Sequence, residues 1–124
     1  MCVTRFTQSG LALMALLSLL GCSRLECKWE QPRKEAVLKE DLYSLRNAID
    51  HFTQAKEAAP ETLDDVVHAG YLRELPLDPF THSRSSWNVT LEDRLLKTGQ
   101  NPGIVDVHSG SHAISSEGTP YDTW

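Results

Sequence analysis

Between residues 32 and 58 the apolar positions Leu38, Leu42, Leu45, Ile49 and Phe52 follow one another at intervals of four, three, four and three. That spacing draws one stripe along an α-helix, with Lys39, Glu40, Arg46, Asp50 and Lys56 lying off it. The pattern predicts a long helix that covers a core with this stripe, with Ala36, Val37 and Ala48 alongside. Too few heptads are present for a coiled-coil seam. Pro32 fits a first helical turn, where its missing N–H costs nothing, and Glu35 there suits the positive end of the helix dipole.

A shorter pattern follows. Thr62 is a hydroxyl at an N-cap position before Leu63-Asp64-Asp65-Val66-Val67-His68-Ala69-Gly70. Asp65 is shorter than the Glu or Gln of a capping box and reads chiefly as a favourable charge at the helix start. Leu63, Val66 and Val67 form the buried side, and Gly70 is placed to close the helix in the left-handed conformation. Leu75-Pro76-Leu77-Asp78-Pro79 then predicts an extended, turning segment, since each proline drives the residue before it out of the helical region.

Residues 86–91, Ser-Trp-Asn-Val-Thr-Leu, and residues 103–108, Gly-Ile-Val-Asp-Val-His, read as two strands. The charged stretch between them ends in Gln-Asn-Pro-Gly, a loop signal. Two strands alone are marginal and need a helix across one face. The expected fold class is α+β: a long helix packed on a small antiparallel sheet, plus a short second helix.

The N-terminal region differs in kind. Residues 11–20, LALMALLSLL, carry no charge and follow a lone Arg5. At about 1.5 Å per residue they reach roughly half of a ~30 Å hydrocarbon core, which suits the apolar region of a signal peptide. Leu19-Leu20-Gly21-Cys22 resembles a bacterial lipobox, in which the cysteine after a small residue takes lipid on its sulfur. A plain secretory signal is the other reading. The expected organisation is a signal peptide over 1–21, a lipid-anchored tether over 22–33 and a globular domain over 34–124. Cleavage before Cys22 would discard Cys2, acylate Cys22 and leave Cys27 without a disulfide partner, so no disulfide framework is expected.

Composition narrows the function. The 124-residue chain has a formal net charge of −5 and no basic patch interleaved with aromatics, which argues against nucleic acid as a partner. Neither a P-loop, a dinucleotide fingerprint nor a Gly-x-Ser-x-Gly elbow occurs, and no nucleophile and base can be assembled, so no enzyme is expected. Asp106, His108 and His112 form the tightest grouping of metal-ligand residue types, with Asp106 and His108 on one strand face. The competing reading is a polar strand face running into a loop. His51 and His68 stand singly in helices.

The run from 34 to 79, KEAVLKEDLYSLRNAIDHFTQAKEAAPETLDDVVHAGYLRELPLDP, together with the final GIVDVHSGSHAISSEGTPYDTW, resembles the G-class pseudopilins of type II secretion. The resemblance covers about three quarters of the chain and implies a pilin-like fold in a non-enzymatic component of the secretion apparatus. It implies a place in the bacterial envelope, anchored in a membrane through the N-terminal lipid and facing the periplasm. Other pseudopilins or secretion-system proteins are the implied partners. A stand-alone lipoprotein using the same fold as a binding or structural module is the alternative.

Departures from the family are local. Ala58-Ala59-Pro60 replaces its Gly-Tyr-Pro before the second helix. Pilin leaders resemble Gly-Phe-Thr-Leu-Ile-Glu-Leu; here Phe6-Thr7 matches, but Arg5 stands at the glycine and Gly10 at the glutamate. A decayed leader is thus a third reading of the N-terminus, and loss of that glutamate argues against self-assembly. The family also implies calcium in the terminal loop, held by aspartates and backbone carbonyls. Calcium takes six to eight oxygens. Glu117 and Asp122 are the expected side-chain ligands, near Ser109 and Ser111, whereas Ser111-His112-Ala113-Ile114 occupies the region of the family's Gly-Ala-Asp-Gly.

Overall fold

The computed structural model describes residues 2–93 and 101–124, with side chains from Trp29 onward in those ranges. Helix α1 is Cys2–Lys56, helix α2 is Leu63–His68, strand β1 is Asn88–Leu91, strand β2 is Ile104–His108, and Tyr121–Thr123 form a 3-10 turn. The fold class is α+β, with one long helix, one short helix and a two-stranded antiparallel sheet. The chain divides into two units, residues 1–33 and 34–124, and the core described below belongs to the second. Residues 11–20, the leader comparison at 5–11 and Cys22 lie outside the described side chains, as do residues 94–100 of the loop between the strands. No described helix is long and apolar enough to cross a membrane.

The 3.6-residue stripe sets the core. Leu38, Leu42, Leu45, Ala48 and Ile49 are buried and pack with Val66, Trp87, Ile104, Val107 and Tyr121. Phe52, at the end of the stripe, is half-buried and meets the Tyr71 ring edge-on, with centroids 6.3 Å apart. Two expectations fail at the margin of the stripe, since Ala36 is exposed and Val37 is 50% exposed. Position 37 lies about 100° around the helix from Leu38. With only two strands to cover, the sheet does not reach it. The long helix also carries Pro32 inside it rather than at its start.

α2 is closed at both ends by local chemistry. Thr62 Oγ1 accepts from the Asp65 amide at 3.3 Å, and the Asp65 carboxylate accepts from the Thr62 amide at 2.8 Å. This is a full reciprocal capping box, so Asp65 reaches farther than its length suggested. Gly70 takes φ +86° and lets Tyr71 N–H reach back to the Val66 carbonyl, as a left-handed helix terminator does.

The sheet contains the one irregularity that fixes the core face. Asn88 pairs with His108, Val89 with Val107 and Thr90 with Asp106, but Leu91 pairs with Ile104, so Val105 has no partner of its own. Simple alternation would put Ile104 and Val107 on opposite faces. The extra residue of a β-bulge corrects this by one position, so that both are buried while Val105 is exposed.

Candidate functional site

The polar contacts that organise this molecule converge on the flank of α1 beside the apolar stripe. Glu35, Lys39 and Arg46 are four and seven residues apart, so they rise along one side of the helix. Each holds a different part of residues 106–124.

Glu35 is the lowest and the most buried, at 7% exposed. One carboxylate oxygen accepts from the Ser116 amide at 2.7 Å and the Tyr121 hydroxyl at 2.8 Å. Its other oxygen accepts from Ser116 Oγ at 2.5 Å. These donors offset the desolvation that a buried carboxylate would otherwise suffer. The sequence reading gave Glu35 to the helix dipole; its actual partners lie more than eighty residues away along the chain.

Lys39 lies above it. Its ammonium is 3.1 Å from Glu117 and 4.6 Å from the centre of the Trp124 ring. Arg46 completes the row, with Nε on Asp106 at 2.8 Å and one terminal nitrogen donating to the Val107 carbonyl at 2.9 Å and to the Trp124 main-chain oxygen at 2.8 Å. Burial alone would raise the Asp106 carboxyl, but the Val107 amide and Arg46 outweigh it. With His108 adding, they hold it below the ordinary aspartate range.

The loop these residues grip is built from small polar groups. Ile114 and Pro120 form an isolated antiparallel bridge, and Gly118, at φ +85°, makes the turn between them. Ser115 Oγ accepts from the amides of Glu117 and Thr119, both at 3.2 Å. Tyr121 then enters the core, stacked on Phe80 at 3.8 Å between centroids, with Trp124 edge-on to it at 5.2 Å.

Phe80 is in turn positioned by Asp78, which is fully buried. Asp78 Oδ1 accepts from the Phe80 and Thr81 amides, and Oδ2 accepts from Ser109 Oγ at 2.6 Å and the Gly110 amide at 3.2 Å. Residues 75–79 are thereby locked to the end of β2. A nearby carboxylate pays for this arrangement: burial first, then Asp78 and Glu40, push the Asp41 carboxyl above its usual value.

The sequence-predicted site residues are therefore distributed as follows. Glu117 faces Lys39, whereas Asp122 accepts from His112 Nδ1 at 2.7 Å. The two expected calcium ligands are engaged by different basic side chains. No group of three or more His, Cys, Asp and Glu side chains gathers in a metal-binding arrangement among the described residues. Asp106 and His108 do come together, at 3.5 Å, but His112 leaves them for Asp122. His108 Nδ1 meets the Trp124 main-chain oxygen at 2.6 Å; that oxygen can only accept, so Nδ1 carries the hydrogen. Ser109 donates to Asp78 and Ser111 Oγ accepts from the Ala113 amide. His51 stacks on Tyr71, and His68 Nδ1 contacts the Asp64 carbonyl one helical turn back.

Sequence reasoning gives Glu35 only a dipole role, leaves Arg46 off the apolar stripe and sets Asp78 only in a turning segment, so it misses the long-range contacts of all three. Their one signal was position: Glu35, Lys39 and Arg46 border the apolar stripe at helical spacing. Compared with known proteins, the chain matches no family model, no curated protein and no solved structure.

Proposed function

We propose that this protein is a non-enzymatic, pseudopilin-like component of a type II protein secretion apparatus, held at a bacterial envelope membrane by lipid on Cys22 and facing the periplasm. The observation that carries the reading is the way a Trp-ended polar loop closes on the long helix at Glu35, Lys39 and Arg46. It does so after a short capped helix and a Leu-Pro-Leu-Asp-Pro turn, in the order that the sequence resemblance implies. The loop's polar groups bind one another and α1, which suits a rigid scaffold that presents a surface.

Cross-linking tests membership of the apparatus. Val37 is exposed on α1, so a Val37→Cys protein carrying a short photo-cross-linker should capture pseudopilins when produced beside a type II secretion system. Capture of none of its components would refute membership. Lipidation is read separately by the intact mass of membrane-extracted protein. The expected species starts at Cys22 with one lipid-modified cysteine, and Cys22→Ala abolishes both modification and partition into detergent.

The alternative, a stand-alone lipoprotein using this fold as a binding or structural module, draws support from Gly10 at the position of the leader glutamate. Under either reading the chain does not polymerise alone, and electron microscopy of overexpressed protein should find no filaments. Calcium in the terminal loop would have to draw Glu117 from Lys39 and Asp122 from His112. A ligand selective for the folded state stabilises it by mass action. A rise in melting temperature in millimolar calcium that is lost in Asp122→Ala supports the ion; equal curves in calcium and chelator leave a loop held by its own hydrogen bonds.

A further inference from the structure

A second surface lies away from the terminal loop. Between α2, residues 74–77 and the sheet runs an open groove of about 880 Å³. Leu63, Val67, Leu75, Leu77, Val89 and Ile104 give it apolar walls. Two contacts keep it formed: Trp87 Nε1 donates to the Pro76 carbonyl at 3.0 Å, and Arg84 donates to the Leu75 carbonyl. Leu77 and Val89 remain substantially exposed, at 45% and 41%.

The groove also has a sign. Exposed Glu61, Asp64 and Glu74 border it, against the single guanidinium of Arg84, which pairs with Glu74 at 3.3 Å. Among the described residues Asp64 has no side-chain hydrogen bond, and Glu61 accepts only from the neutral Asn101 amide. The side beside α2 therefore holds two carboxylates unneutralised by any described cation. All four residues of β1 are exposed, and β1 pairs only with β2 among the described residues. Such a strand has outward-pointing main-chain groups that can take another strand.

We propose that this groove docks an extended segment of a partner protein in which apolar side chains are flanked by Lys or Arg. The apolar side chains enter between α2 and residues 75–77, the basic ones meet Glu61 and Asp64, and the segment's backbone runs beside β1. A volume near 880 Å³ matches the few side chains such a segment inserts, within the ~300–1,000 Å³ of ordinary ligand clefts. Charge complementarity selects the basic flanks, and the acidic balance of the whole chain steers the same class of partner. The surface is separate from Glu35, Lys39 and Arg46, so it does not depend on the secretion reading.

Two capped hexapeptides provide the test, Lys-Leu-Val-Leu-Val-Lys and its counterpart with Glu at both ends, titrated into the full chain at low salt and followed by fluorescence anisotropy. The lysine peptide should bind about tenfold more tightly, the scale of two exposed charge pairs made rather than opposed. Glu61→Gln with Asp64→Asn should reduce that preference to about twofold or less. Leu77→Asp, at a position 45% exposed, should abolish binding of both peptides while leaving the melting temperature near that of the parent. Equal binding of the two peptides, no binding of either at millimolar concentration, or binding indifferent to Leu77→Asp overturns the proposal. So does a dimer in sedimentation that Leu77→Asp dissociates, since the groove then belongs to a second copy.

Discussion

Helix α1 presents two neighbouring stripes that hold the same domain together by different means. Leu38, Leu42, Leu45 and Ile49 act by excluding water, and nearly any apolar neighbour of the right volume serves them. Glu35, Lys39 and Arg46 act by geometry, each matched to particular donors or acceptors in the terminal loop. The apolar stripe sets how much stability there is. The polar stripe fixes which loop conformation exists, because a misplaced loop would lose the hydrogen bonds that Ser116 and the Tyr121 hydroxyl make to the buried Glu35 carboxylate.

Mutations should separate the two stripes, beginning with the core. Leu45→Ala removes a side chain that is 1% exposed and should cost about 2–5 kcal/mol in urea unfolding. That is a large share of the ~5–15 kcal/mol a domain of this size holds. A shift no larger than that of an exposed substitution would break the distinction.

Next comes Glu35→Ala, which removes the buried carboxylate that accepts from the Tyr121 hydroxyl, the Ser116 amide and Ser116 Oγ. Its expected cost is about 1–3 kcal/mol. Its signature is local: limited proteolysis should cut within residues 109–120 well below the global unfolding transition, whereas Leu45→Ala should not uncouple the two.

A smaller effect is expected from pH, with opposite signs at two aspartates. Asp106 is held below its ordinary value, so the unfolded chain binds more protons there. Its contribution is complete above the unfolded aspartate value and fades as pH falls through the lowered folded value. Asp41 is raised by burial, Asp78 and Glu40, so the folded chain binds more protons, and stability falls as pH rises from the ordinary value through the raised one. Arg46→Met should weaken the acid dependence due to Asp106, and Asp41→Asn should remove the loss on the higher-pH side. Melting temperatures taken across the acidic range read both.

Lys39→Ala should have the smallest effect, below about 1 kcal/mol, because the ion pair with Glu117 is well exposed on both sides. Loss of the contact with the Trp124 ring is read as a change in tryptophan fluorescence that Trp124→Phe removes.

The contrast between the stripes also explains what was legible in the sequence. A repeat of 3.6 residues is a local signal, so the register of α1 could be read directly and Leu45 and Ile49 fell in the core. Both strands and the left-handed Gly70 carried local signals as well. The partners of Glu35 and Arg46 are 60 to 86 residues away, and no local pattern encodes such a pairing. The same holds for Asp78 and Ser109. The bulge at Val105 was hidden differently: Ile-Val-Asp-Val suits a regular strand, and only the need to bury both Ile104 and Val107 makes it irregular. Val37 is apolar yet 50% exposed, because apolar character alone does not say how wide a stripe a two-stranded sheet can cover.

Tyr121 gives the domain a late-closing core. It is 1% exposed, stacks on Phe80 and reaches Glu35, 86 residues earlier at the start of the second unit. Contacts of such long separation require most of the loop-closure entropy to be spent before they return any stability. A ribosome making this chain would have to deliver residue 121 before that side of α1 could be sealed. Until then the emerging polypeptide would leave that side of α1 uncovered.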